Sequence, residues 1–162
     1  MKKLQIGKRK IGINYPTYFI ADIGANHDGS ITRAKKLIKL AKSAGADAAK
    51  FQHFTAKTIV SNKGFNILKS KVSHQNKWKK TVYEVFKAAS VNKNWTKILK
   101  SYCDKLGIEF MTSPYSLEIV DEINPFVKAI KIGSGDITWI DIIKKISEKK
   151  NWFVGYRSIN NV

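Results

Sequence analysis

The chain has a single cysteine, Cys103, so no internal disulfide can staple it, and its three histidines supply no Cys/His cluster of the kind a structural metal needs. Ten glycines and three prolines among 162 residues, with 43% apolar content, argue against collagen-like, linker-like or disordered sequence. Long apolar runs are missing as well. Stretches such as Tyr18 to Ala21 fall far short of the roughly 18 residues of a membrane span, and the N-terminus lacks the apolar core of a signal peptide. A cytoplasmic, single-domain protein is expected. Acidic residues are scarce, 12 against 30 basic, which leaves a formal charge of +18. Arginine is scarcer still: Arg9, Arg33 and Arg157 are the only three. Readers of bases and phosphates lean on the planar arginine fork. A lysine excess spread over pairs such as Lys35-Lys36, Lys79-Lys80, Lys144-Lys145 and Lys149-Lys150 reads instead as the solvated faces of helices. A basic nucleic-acid-binding module is therefore the lesser reading, and steep loss of affinity with salt would mark it.

What is there is an alternation of short apolar runs and helical periods. Leu4 to Asn14, with Gly7 and Gly12, predicts an N-terminal hairpin within residues 1–14. Residues 15–155 then read as βα repeats and 156–162 as a tail. Strands are expected at Thr17 to Ile23, Asp47 to Gln52, Ile108 to Thr112, Val127 to Ile132 and Trp152 to Gly155. Ser30 and Gly45 bracket a helix carrying Ile31, Ala34, Leu37, Ile38 and Ala41. Further helices are expected over Lys79 to Ala89, Trp95 to Leu106 before Gly107, Leu117 to Ile123 after Ser116, and Ile140 to Ser147. Phe54 to Trp78 is long and poorly periodic and reads as an excursion over a site. The order βαβαβαβαβ implies parallel strands joined by right-handed crossovers. No Gly-x-Gly-x-x-Gly opens the first helix, and Gly133-Ser134-Gly135 is too brief to stand for one.

The polar residues favour a barrel over an open sheet. Asp22, Asn26 and His27 follow the first strand; Lys50 and Gln52 close the second; Thr112 and Ser113 close the third; Lys131, Ser134 and Asp136 close the fourth. Such strand ends form one active face in parallel α/β folds. Lys50 and Lys131 could snorkel to solvent. With the hydroxyls of Thr112, Ser113 and Ser134 and the amides of Gly133 and Gly135, they could instead bind a phosphate or carboxylate. One of them could also be a Schiff-base nucleophile, its ammonium destabilised by the other. Asp22 and Asp136 are candidate acids or bases, or else loop and helix caps. His27 sits in a crowded polar turn and is expected to be functional; His53 could face the same mouth; His74 is expected to be solvated. The tryptophans Trp78, Trp95, Trp139 and Trp152 read as packing residues, and Cys103 as an inert thiol.

Four ordered stretches, IADIGANHDG (Ile20 to Gly29), AGADAAKFQ (Ala44 to Gln52), FMTSPY (Phe110 to Tyr115) and KIGSGDIT (Lys131 to Thr138), closely resemble the sialic acid synthase family. The resemblance implies an α/β fold: a (β/α) barrel of TIM type, here truncated to roughly its first half, since a complete barrel takes about 250 residues. It implies condensation of phosphoenolpyruvate with N-acetylmannosamine or a related N-acylated sugar to a nonulosonic acid, with release of phosphate. Carried over by position, Lys50, Thr112, Lys131 and Ser134 become phosphoenolpyruvate contacts, and Gln52 and Asp136 become sugar contacts. Asp22 stands where many members carry a proton-transferring Glu, and Asp136 likewise replaces a frequent Glu. The family uses manganese or magnesium, whose histidine ligands would lie beyond Val162. The chain alone is then expected to lack synthase activity and to self-associate or meet a complementary half-barrel polypeptide. A Schiff-base aldolase is the alternative enzyme.

Overall fold

The computed structural model describes residues 4–67 and 78–149. His74, the strand expected at Trp152 to Gly155 and the tail 156–162 lie outside the described residues. The hairpin is formed by β1 (Leu4–Ile6) and β2 (Arg9–Ile11), antiparallel, with Gly7 at φ +56° in the turn. A parallel sheet follows, built from β3 (Ile20–Gly24), β4 (Ala48–His53) and β5 (Glu109–Pro114) in that spatial order. Asp22 stands beside Lys50, Lys50 beside Met111, and Gln52 beside Ser113.

Among the described residues the fourth expected strand shows isolated bridge positions at Ile130 and Lys131 rather than a strand. Ile130 pairs with Thr112, and the Lys131 N–H donates to the Thr112 carbonyl at 3.1 Å. The excursion after β4 also differs from a bare loop, because α2 (Ala56–Ile59) and α3 (Asn62–Ile67) occupy its described part.

Local chemistry explains the helices. In α1 (Ile31–Ser43) the Ser30 hydroxyl accepts the Arg33 N–H, and Gly45 turns out at φ +85°. In α4 (Val82–Ala89) Thr81 and Glu84 form a reciprocal capping box. Gly107, left-handed at φ +64°, ends α5 (Trp95–Leu106), and Ser116 caps α6 (Leu117–Ile123). The last described helix is α7 (Ile140–Ser147). Apolar faces of α1, α5, α6 and α7 cover one side of the sheet: Ile38, Leu99, Val120 and Ile142 pack with Phe51, Phe110 and Ile130. Each such side chain contributes roughly 1.5–3 kcal/mol on burial. Cys103 is buried in this layer, and burial pushes its thiol up to about 12, in keeping with an inert residue. Trp95 and Trp139 pack against its edge.

The opposite side of the sheet is the inner face. Near the strand starts it is closed by the hairpin, whose Ile6 packs with Ala48, Met111 and Ala129. Asp47 ties this end together by pairing with Arg9 at 2.6 Å and accepting the Phe19 N–H at 2.8 Å. Near the strand ends the inner face is polar.

Gly29 shows how α4 is docked. At φ +73°, any Cβ there would lie 2.8 Å from the Ala88 carbonyl at the end of α4. Gly29→Ala is expected to lower stability by roughly 1–3 kcal/mol, read from the urea midpoint. Gly45→Ala, equally left-handed but with nothing within 4 Å of its Cβ, should cost less. Equal losses would show that the α4 contact is not a constraint.

Candidate active site

Side chains alternate across a strand, so the core contacts of neighbouring residues assign each polar group to a face. Ala21 and Ile23 pack with the helices, as do Ala49 and Phe51, and Ile130 and Ile132. Asp22, Lys50, Gln52 and Lys131 therefore stand on the inner face, together with Ser113, which alternates with Phe110 and Thr112 on the helix side. Just beyond Lys131, a 3-10 turn at Ser134–Asp136 brings in Asp136 and an exposed Ser134.

Contacts confirm that these groups converge. Lys50 is 3% exposed, and its Nζ lies 2.7 Å from Oδ2 of the largely exposed Asp22. Burial, and then the charge of Lys50, holds the Lys131 ammonium below the usual lysine range, with Asp22 and Asp136 opposing. Burial raises the Asp136 carboxyl against the pull of Lys131. Gln52 Nε2 donates to the Tyr115 hydroxyl at 3.1 Å. A Cβ built on Gly24 would lie 3.4 Å from both Asp22 Oδ1 and Gln52 Oε1, so the bare glycine keeps that corner open. Ser113 is fully buried, and among the described residues its Oγ has no hydrogen-bond partner. Chemically this is a mouth with two ammonium groups, two carboxylates and an idle buried hydroxyl.

Two residues expected at the mouth stand behind it. Thr112 Oγ1 lies 2.7 Å from His53 Nδ1, on the helix side, so its hydroxyl is not presented to Lys50 and Lys131. The hydroxyl of β5 that shares their face belongs to its neighbour, Ser113. His27 is also fully buried; its Nδ1 accepts the Gly29 N–H at 3.2 Å, and its ring packs on Phe51 and edge-on to Trp95, 5.5 Å away. The structure thus sets His27 among the helix-side aromatics, and burial lowers its pKa. His53, too, turns from the mouth: its Nε2 lies 2.9 Å from Thr96 Oγ1 of α5. Tyr115 is the residue that sequence reasoning missed. Its position one residue past the β5 end was the available signal.

Among the described residues no three of His, Cys, Asp and Glu gather into a set that could hold a metal ion. The described residues do not fit the manganese or magnesium implied by resemblance. No helix among them is long and apolar enough to cross a membrane.

Residues 37–154 match the model of the NeuB family. The chain is 34% identical over 146 residues to the N,N'-diacetyllegionaminic acid synthase of Legionella pneumophila, covering 89% of this chain and 40% of that one. It is 33% identical over 144 residues to the N-acetylneuraminate-9-phosphate synthase of Mus musculus, covering 87% and 39%. Among solved structures, the N-acetylneuraminic acid synthetase of Leptospira borgpetersenii superposes with a TM-score of 0.79 at 25% identity, over 98% of this chain and 51% of that one. The chain spans about two fifths of the length of these curated relatives.

Proposed function

Because the chain belongs to the NeuB family, we propose that it works in the phosphoenolpyruvate-dependent synthesis of a nonulosonic acid. Lys50, Lys131, Ser113 and Ser134 take the phosphoenolpyruvate, while Gln52 and Asp136 meet an N-acylated sugar. The observation that carries this is the pairing of two lysines on one inner face beside the unpartnered Ser113 hydroxyl. Charge-assisted contacts of this kind suit a phosphate and a carboxylate on one small molecule. The relatives named as legionaminic and neuraminic acid synthases support the reaction class.

In the proposed reaction the π electrons of phosphoenolpyruvate form a bond from C3 to the aldehyde carbon of the open-chain sugar, and the aldehyde oxygen takes up a proton. Water adds at the resulting C2 cation and gives up a proton. Phosphate then leaves with the electron pair of its C–O bond while the C2 hydroxyl oxygen forms the keto carbonyl and its remaining proton passes to the departing phosphate. Asp136, whose raised pKa lets it hold a proton closer to neutrality than an ordinary aspartate, suits the aldehyde oxygen. Asp22, exposed beside Lys50, is placed to exchange protons with water.

The lowered pKa of Lys131 also favours a second reading, in which its neutral amine attacks a carbonyl as in a Schiff-base aldolase. Borohydride separates the two. Phosphoenolpyruvate is expected to protect Lys50 and Lys131 from an amine-acylating reagent, and pyruvate with borohydride to leave both unmodified by mass spectrometry. A stable pyruvyl adduct on either lysine would make the aldolase the better reading.

A further inference from the structure

Tyr115 has no part in the proposed chemistry, yet its hydroxyl sits among the sugar contacts. β5 stops at Pro114, and the next residue's N–H donates to the His53 carbonyl at 3.0 Å, so the backbone just past the strand is tied to β4. The ring lies edge-on to Phe54, with centroids 6.1 Å apart, and Phe54 packs on Phe86 of α4 at 5.5 Å. Apolar contacts thus hold the ring independently of its hydroxyl.

That hydroxyl accepts from Gln52 Nε2 at 3.1 Å. Gln52 occupies the inner-face position one beyond Lys50 along β4. The hydroxyl also lies 3.4 Å from where a side chain on Gly133 would start, and Asp136 Oδ2 lies 2.5 Å from the same point. The phenol and the Asp136 carboxylate therefore both crowd in over Gly133, close to each other because the glycine has no side chain, and the phenol in turn touches Gln52. A phenol that accepts from an amide keeps its own proton to give. Burial, and then the nearby Asp136 carboxylate, keeps that proton on.

We infer that Tyr115 is a specificity-determining residue whose O–H donates to an acceptor oxygen of the N-acylated sugar, alongside Gln52 and Asp136. It makes no contact with phosphoenolpyruvate. This inference rests on the proposed function of the same mouth. Tyr115→Phe keeps the ring between Phe54 and the mouth and deletes the hydroxyl alone. A site built to hydrogen-bond a substrate oxygen discriminates strongly once that bond is lost.

The test uses the full chain, labelled with 15N and saturated with phosphoenolpyruvate, then titrated with N-acetylmannosamine. Tyr115→Phe is expected to bind phosphoenolpyruvate within twofold of the unaltered chain and the sugar at least tenfold more weakly. The Gln52 side-chain amide signal should shift on sugar addition in the unaltered chain, and less in the variant. Equal sugar affinities, or no sugar binding by the unaltered chain with phosphoenolpyruvate bound, would overturn the role of Tyr115 alone. Failure of the unaltered chain to bind phosphoenolpyruvate would overturn the proposed function and this inference with it.

Discussion

Replacing Lys50 by methionine is expected to weaken phosphoenolpyruvate binding about a hundredfold or more while leaving the chain as stable as before. The two halves of this expectation have different physical sources. Removing a buried cation from a hydrogen-bonded charge pair with a ligand costs roughly 2–5 kcal/mol, and each tenfold in affinity is about 1.4 kcal/mol. Stability should hold because the partner left behind, Asp22, has a side chain 62% exposed and is solvated without help. Breaking an ion pair is severe when the remaining charge is buried, which is not the case here. Methionine also has close to the volume and shape of the lysine stem, so Phe51 and Ala49 on the other side of β4 need not move. Calorimetric titration with phosphoenolpyruvate, paired with thermal melts, reads both quantities. Lys131→Met should weaken binding less, because Lys131 is only partly buried. A Lys50→Met chain that binds phosphoenolpyruvate normally would remove this residue from the site.

The second large effect is on stability and comes from His53. Burial, with a smaller contribution from His27, lowers its pKa to about 4 from 6.5. The unfolded chain then binds more protons than the folded one between those values. Stability from neutral His53 is fully present above about pH 6.5 and is lost as the pH falls toward about 4. The gap corresponds to roughly 3 kcal/mol, large against the 5–15 kcal/mol that holds a typical domain together. His27, also lowered by burial, acts in the same direction.

His53→Gln should flatten this part of the pH dependence. It should also cost roughly 1–3 kcal/mol at pH 7, because an amide on a longer, more flexible stem does not reproduce the rigid ring that sets its two nitrogens against Thr112 and Thr96. Urea unfolding of both chains at pH 7 and pH 4.5 separates the effects, since the carboxylates common to both cancel in the difference. Parallel pH profiles would show that His53 is not the titrating group.

The helix caps were legible because they are local. Ser30, Ser116 and Gly107 act within one turn of their own backbone, and a residue type that satisfies a free N–H or turns left-handed announces itself in a short window. The strands before and after them were legible as apolar runs. Their faces were not. Phe110 and Met111 are both apolar because β5 is buried on both sides, so no period of two distinguishes Thr112 from Ser113. The extent of the fourth strand also escaped, since Val127 to Ile132 has the composition of a strand whether or not a ladder forms.

By itself the sequence determined the α/β alternation over the described residues, the boundaries of α1, α5 and α6, and the set of lysines and carboxylates that ends the parallel strands. These follow from interactions between residues close along the chain. The tertiary structure alone decided which of two adjacent hydroxyls joins Lys50 and Lys131, that His27 and His53 pair with aromatics and threonines of the helix side, and that Tyr115 meets Gln52. Each of those outcomes depends on the register of β4 against β5 and on where α5 comes to rest. Both are set by contacts between residues distant in the chain, which a local pattern does not contain.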